Sequence, residues 1–152
     1  NYADSEDVFE RSPYTIYFRT DNQEFDFHFT SVHLAPGDVE AELRALVGVI
    51  EDLQESGDKD IILVGDFNAD GVYFDEDEIF DYFSDEEYEW VITNNIDTTV
   101  ATSDNTYDRI VINEELKSLV VESGAIIFND MVSGFEVEEV SDHYPVYMHL
   151  NY

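Results

Sequence analysis

Ile61-Ile62-Leu63-Val64-Gly65-Asp66-Phe67-Asn68-Ala69-Asp70 begins as four apolar residues and stops abruptly in Gly-Asp-Phe-Asn. A short apolar run bounded by a turn signal reads as a buried strand. The strand holds Asp66 and Asn68 at its C-terminal end, and two residues apart on extended backbone both side chains lean to one face. One carboxylate and one amide oxygen on a fixed edge suit a hard divalent cation that also touches a phosphate. The plainer reading is a strand exit in which Asp and Asn cap the backbone. The stretch alone leaves both open.

The same residues imitate another motif. Asp66-x-Asn68-x-Asp70-Gly71 followed by Asp77 is nearly the calcium loop of an EF-hand. That loop needs an entering helix, an apolar eighth position and a Glu at its twelfth. Here the entry is a strand, and those positions hold Tyr73 and Asp77. The EF-hand is excluded.

At 152 residues the chain is a single domain, 1–152, with enough apolar content for a real core. No apolar run approaches a membrane span and nothing resembles a signal peptide, so no membrane partner is expected. A chain starting at Asn1 is expected to be a processed product or a fragment. Without cysteines there are no disulfides, and the redox compartment is not legible. Acidic residues number 37 against 6 basic ones, a net charge of −31. Such acidity commonly means disorder, but 43% apolar and 14% aromatic residues argue for a folded chain. A folded domain this acidic repels itself at low salt. At molar salt the Debye length shrinks to roughly 3 Å and the repulsion is screened. The surface therefore reads as halophilic, adapted to high salt. The rival reading is an acidic decoy that mimics nucleic acid or recruits a basic partner.

Along the chain, residues 1–12 read as loop, 14–20 as a strand, 21–24 as a turn and 25–34 as a half-buried strand in which Phe25, Phe27 and Phe29 alternate with polar residues. Asp38 is a plausible N-cap for a helix carrying Leu43, Leu46, Val47, Ile50 and Leu53 up to Gly57. Residues 75–89 hold nine acidic residues among Ile79, Phe80, Phe83 and Tyr88, the pattern of a short amphipathic helix with a solvated acidic face. Trp90-Val91-Ile92 begins another strand, 94–106 is a polar loop, and 109–112, 125–128 and 144–150 read as further strands. The order predicts an α/β (α+β) domain, a sheet with helices on one face.

Four motifs fall at the ends of these strands: His33, Asp66 with Asn68, Tyr107-Asp108-Arg109, and Ser141-Asp142-His143-Tyr144-Pro145. At neighbouring strand ends they can converge on one site, where two histidines exchange protons near neutral pH and carboxylates orient them or hold a metal. Taken one at a time, each is more simply structural: a strand-end histidine, a turn before Tyr-Pro, a local Asp-Arg ion pair worth about a kcal/mol or less if exposed.

Together these stretches resemble the deoxyribonuclease I family of the endonuclease/exonuclease/phosphatase superfamily. The matching text is Phe9-Glu10-Arg11-Ser12-Pro13, Val32-His33-Leu34-Ala35-Pro36, Val64-Gly65-Asp66-Phe67-Asn68-Ala69-Asp70, Asp97-Thr98-Thr99, Tyr107-Asp108-Arg109-Ile110-Val111 and Ser141-Asp142-His143-Tyr144-Pro145-Val146. The resemblance implies a divalent-metal phosphodiesterase that cuts DNA to leave 5′-phosphates. His33 and His143 would be the acid–base pair, with Asp108 orienting His143. Asp66, Asn68 and Asp142 would hold Mg2+ or the scissile phosphate, Mn2+ being a further candidate. Arg11 and Tyr107, with Asn68, would contact the DNA. Structural Ca2+ is implied at Asp97 and Thr99, and at a second loop around Asp7 and Phe9. Secretion to the extracellular space follows from the same resemblance.

The family pattern is longer, and this chain matches its C-terminal part, one half of a four-layer α/β/β/α sandwich. The absent part carries a Glu metal ligand, an Asn at the site and the carboxylate partner of His33. One sheet alone would expose an apolar face above the few hundred Å² a monomer usually shows. A separate N-terminal half is therefore expected as partner, with a homodimer as the alternative. Where the family has a disulfide, this chain has Gly71 and Asn105. Other readings are a superfamily phosphoesterase acting on lipids or sugars, and a catalytically inactive, acidic binding module.

Overall fold

The computed structural model describes every residue except 1–3, 23, 56, 58, 59, 85 and 135. Parts of the loop expected over 1–12, the turn over 21–24 and the acidic segment over 75–89 lie outside the described residues. Strands β1 (Tyr14–Arg19), β2 (Asp26–His33), β3 (Ile61–Asp66), β4 (Tyr88–Trp90) and β5 (Asp108–Asn113) form one sheet in the order β1-β2-β3-β5-β4. Strands β6 (Val120–Ala125) and β7 (Val146–Leu150) pair as a second, two-stranded sheet. Helix α1 (Val39–Glu55) crosses over between the parallel strands β2 and β3, and a one-turn helix α2 (Glu114–Lys117) follows β5. The architecture is α+β. Among the described residues, no helix is long and apolar enough to cross a membrane.

The apolar spacing read in the sequence is what seats α1. Val39, Leu43, Leu46, Val49 and Ile50 are buried on one stripe. They pack on the sheet face formed by Val32, Ile61, Leu63 and Val111, with Phe9, Phe67, Phe83 and Trp90 closing the core. Each fully buried leucine there contributes roughly 1.5–3 kcal/mol. On the opposite face Phe25, Ile62, Ile110 and Ile112 are buried, while Phe27, Phe29 and Val64 are only half covered. Here Val146, Met148 and Leu150 of β7 line an open apolar groove of about 640 Å³ with Phe25, Phe27 and Phe29.

The register across β2, β3 and β5 brings the polar ends of three strands level. His33 pairs with Asp66 and Asp66 pairs with Asp108, so three polar residues stand in one row at one end of the sheet. Gly65, one residue earlier in β3, has φ +141°, and Val32 crowds the space where a Cβ would sit.

Several expected elements shift. The acidic segment folds as a 3-10 turn, Glu76–Asp81, capped by the Asp75 side chain on the Asp77 N–H, and not as an α-helix. A strand ends at Trp90 where one was expected to begin, because Val91 and Ile92 turn into the second apolar cluster. The strand expected at 125–128 lies earlier, at β6, where residue pairing with β7 overrides the Glu and Gly in its sequence.

Candidate active site

Strand ends deliver the side chains, and short backbone bonds fix them. Leu34 N–H donates to Asp66 O at 2.9 Å, and Phe67 N–H to Tyr107 O at 2.8 Å, so the three strands stay in step beyond their last paired residues. Asp66 Oδ1 accepts the Asn68 N–H at 2.9 Å, and the Asn68 amide donates to Leu34 O at 2.9 Å. Asn68 has φ 49°, a left-handed conformation that Asn tolerates better than most residues. Asn68 therefore does not continue the strand, as the sequence suggested; it turns back toward the exit of β2. The capping and the site-forming readings of Gly-Asp-Phe-Asn hold at once. Because Asn68 Nδ2 is committed to Leu34 O, Oδ1 is the end of the amide left to meet a ligand.

His143 reaches this row from the loop before β7. Its Nδ1 lies 2.6 Å from Asp108 Oδ2. Its backbone N–H donates to Ser141 Oγ at 3.0 Å, and it bridges Thr99. Thr98 Oγ1 accepts the backbone N–H groups of both Tyr107 (2.9 Å) and Asp108 (3.1 Å), which sets the carboxylate that holds the ring. His33, half exposed, places Nε2 3.6 Å from Asp66 Oδ2. Asp142 is exposed beside His143. His33, Asp66, Asn68, Asp108, Asp142 and His143 thus gather at one end of the sheet.

The electrostatics separate the members of the site. Burial is the largest single influence on His143 and favours the neutral ring. The hydrogen bond and charge of Asp108, with Asp66 and Asp142 beyond it, outweigh burial and lift its pKa above the ordinary 6.5. Burial also pushes the Asp108 carboxyl up, with the bond to His143 pulling it back. Burial, then the nearby Tyr73, Asp70 and Asp66, raises the Tyr107 phenol.

No protein-family profile matches the chain. Deoxyribonuclease-1-like 1 of Sus scrofa is 35% identical over 158 residues, covering 99% of this chain and 50% of that protein. Human deoxyribonuclease-1 is 34% identical over 149 residues, covering 92% of this chain and 53% of that protein. Over nearly its whole length the chain is similar to the deoxyribonuclease I family. It spans about half the length of these curated relatives. Solved structures share the fold at lower identity. A mannosyl-6-phosphatase from Bacteroides thetaiotaomicron superposes with a TM-score of 0.64 at 21% identity, covering 90% of this chain and 55% of that one. An AP endonuclease from Archaeoglobus fulgidus gives 0.60 at 14% identity, covering 93% and 72%.

Against the deoxyribonuclease I pattern, other residues fall less simply. Arg109 is fully buried, not an exposed partner of Asp108: alternation along β5 sends the two side chains to opposite faces. Its Nη1 donates to Asn94 Oδ1 at 2.7 Å and to Ile92 O at 3.2 Å, beneath Trp90. Burial lowers its pKa to about 10. It cannot contact DNA. Arg11 is exposed and paired with Glu10 at 3.0 Å. Gly71 and Asn105, at the family's disulfide positions, do stand together: a Cβ on Gly71 would meet Asn105 Oδ1 at 2.7 Å.

At the two expected calcium loops the polar groups bond locally. Asp97 Oδ1 accepts the Thr99 N–H at 2.9 Å, and Thr99 Oγ1 lies 2.7 Å from Ser103 O. Asp4 accepts the N–H groups of Val8 and Phe9, beside Asp7 at φ 53°, with the Phe9 ring buried. Among the described residues, no three His, Cys, Asp or Glu side chains converge as a metal cluster. Tyr73 was not singled out from sequence. Its ring lies 5.6 Å from that of Tyr107, which lies 6.0 Å from that of His143, so the aromatic edge of the site extends to the loop after β3.

Proposed function

We propose that this chain is the larger share of the active site of a divalent-metal-dependent endonuclease, which hydrolyses DNA phosphodiester bonds to leave 5′-phosphates. The observation that carries the reading is the row His33–Asp66–Asp108 with His143 Nδ1 2.6 Å from Asp108. With Nδ1 held by a carboxylate, His143 presents Nε2, oriented and made more basic, to take a proton from an attacking water. Water adds to phosphorus, the bond to the 3′ oxygen breaks, and His33 supplies the proton that oxygen needs. Asp66, Asn68 and Asp142 offer the hard oxygen donors that suit Mg2+ or Mn2+. When bound, such a cation offsets the charge that builds on the phosphate oxygens. Arg11 and Tyr107 would meet the DNA backbone, and the Asp97–Thr99 and Asp7–Phe9 loops would take Ca2+. Retention of both histidines favours this reading over an acidic mimic, which needs charge but not imidazoles. Extracellular action belongs to the same proposal.

The test is direct. With Mg2+ and the remaining half of the fold, the protein should convert supercoiled plasmid to nicked circles that DNA ligase reseals without prior phosphorylation. EDTA should stop the reaction. Nicks that need a kinase before ligation, or cutting indifferent to EDTA, would reject it.

Two further expectations follow. The nicking rate should rise with pH on an acid limb whose midpoint lies above 6.5, since His143 acts as a base only when neutral and its pKa is raised. Asp108→Asn should move that limb down. The same shift has a stability sign: the folded value exceeds the unfolded one, so the contribution of the pair is complete below the ordinary histidine range and fades as pH climbs through the folded value. Initial rates and melting temperatures between about pH 5 and 9 read both.

We also infer adaptation to high salt, supported by the net charge of −31. Screening should raise the melting temperature by on the order of 10 °C between dilute buffer and molar NaCl. A melting point that falls with salt would contradict it. Finally, the open groove along Phe25, Phe27, Phe29 and Val64, on a chain spanning half of its relatives, supports cover by a further part of the same fold. That part would be an N-terminal half, with a second copy of this chain as the alternative.

A further inference from the structure

Glu42 is the only acidic residue on the buried stripe of α1, and it is 0% exposed. A carboxylate among Val39, Leu43 and Leu46 is costly unless its oxygens are fully used. Both are. Oε1 accepts the Glu10 N–H at 2.8 Å, and Oε2 accepts the Ala35 N–H at 2.9 Å. The two donors lie on segments far apart in the chain. Glu10 precedes Arg11 and holds its guanidinium at 3.0 Å, while Ala35 follows His33-Leu34, whose Leu34 carbonyl anchors the Asn68 amide at 2.9 Å.

We propose that Glu42 is a positioning residue that sets these two segments with one side chain. Through Glu10 it fixes the segment that offers Arg11 to the DNA backbone; through Ala35 it fixes the loop that aims His33 and Asn68. The inference rests on the nuclease reading for its kinetic consequence, but not for its structural one. Both carboxylate oxygens accept backbone N–H groups, so a side chain of equal shape with one acceptor turned to a donor must release one segment.

Glu42→Gln makes that change. Its kcat should fall about tenfold or more, as displaced reacting groups do, and its KM should rise with it, whereas Arg11→Ala should raise KM alone. Amide exchange by NMR supplies a readout that needs no activity. In the wild-type protein the Glu10 and Ala35 amides should exchange at matched protection, and in Glu42→Gln the amide of the released segment should accelerate about tenfold or more while β3 and β5 amides hold. If the wild-type protein mixed with the remaining half of the fold does not nick DNA, the nuclease reading fails and exchange alone judges the coupling. If the variant does not fold, the matched protection in the wild-type protein decides. Wild-type kinetics in Glu42→Gln, or Glu10 and Ala35 amides that differ more than tenfold in protection, would overturn the proposal.

Discussion

His143→Ala is expected to lower plasmid nicking by about a thousandfold, within the range that a positioned acid–base group contributes. The effect should fall on kcat, because the proposed role of the ring is on the reacting atoms and not on the body of the DNA. The fold should survive. The His143 ring is part-buried, and Thr99 and Ser141 engage its backbone, which alanine keeps. The loss at Asp108 is one hydrogen bond from a mostly buried carboxyl, on the order of 1–3 kcal/mol. Adding Asp108→Asn to His143→Ala should cost little further rate, since the carboxylate acts through the ring it holds. Circular dichroism beside steady-state nicking separates the two quantities. Undiminished nicking in a folded His143→Ala protein would remove this site from consideration.

Gly65→Ala should do more damage to stability than any other single methyl group added to the sheet. Gly65 holds φ +141°, where side chains are rarely tolerated, and the new Cβ would overlap the Val32 carbonyl oxygen and lie 2.9 Å from its carbon. Both obstacles are backbone, so neither rotates away. Val32 and Gly65 are register partners in the parallel pair, one position before His33 and Asp66. Relief would mean parting β2 from β3 beside the site. The expected loss exceeds about 4 kcal/mol, the range reserved for strain of this kind, and urea denaturation would measure it. Gly48→Ala supplies the control: it lies within α1 with nothing within 4 Å of a new Cβ. There the methyl should stabilise by roughly 0.5–1 kcal/mol, the usual helix preference for Ala over Gly. Equal effects at the two positions would mean that the close approach of β2 and β3 is not what Gly65 serves.

Local pattern carried the sequence reading where it succeeded. The stripe of α1 and the apolar run of β3 are set by neighbours a few residues away, and both formed where their periods placed them. The residues of the site were legible as strand ends and motifs, but not as a row. That row depends on pairings between His33, Asp66 and Asp108, and register is a non-local property. Arg109 shows the same limit. Charge alone argues for exposure, and its burial is met by Trp90 of β4, by Ile92 and Asn94 just beyond it, and by the charges of Asp70 and Glu76. Glu42 hid among the acidic residues for the converse reason: nothing local distinguishes it from Glu40, which is exposed and paired with Arg44 on the solvent face. The early end of β4 and the shift of β6 follow partners likewise, one leaving the sheet after Trp90 and the other following β7.

The His33–Asp66–Asp108–His143 constellation is expected to cleave DNA once the open face of the sheet is covered. The most direct measurement is nicking of supercoiled plasmid with Mg2+ by this chain alone, by a polypeptide supplying the remaining half of the fold, and by the two mixed. Strong nicking by the mixture, weak or none by either part, and its loss when the chain carries His143→Ala is the predicted result. Nicking that persists in the mixture with His143→Ala, or a mixture that associates stably yet leaves the plasmid supercoiled at every salt concentration, would contradict it.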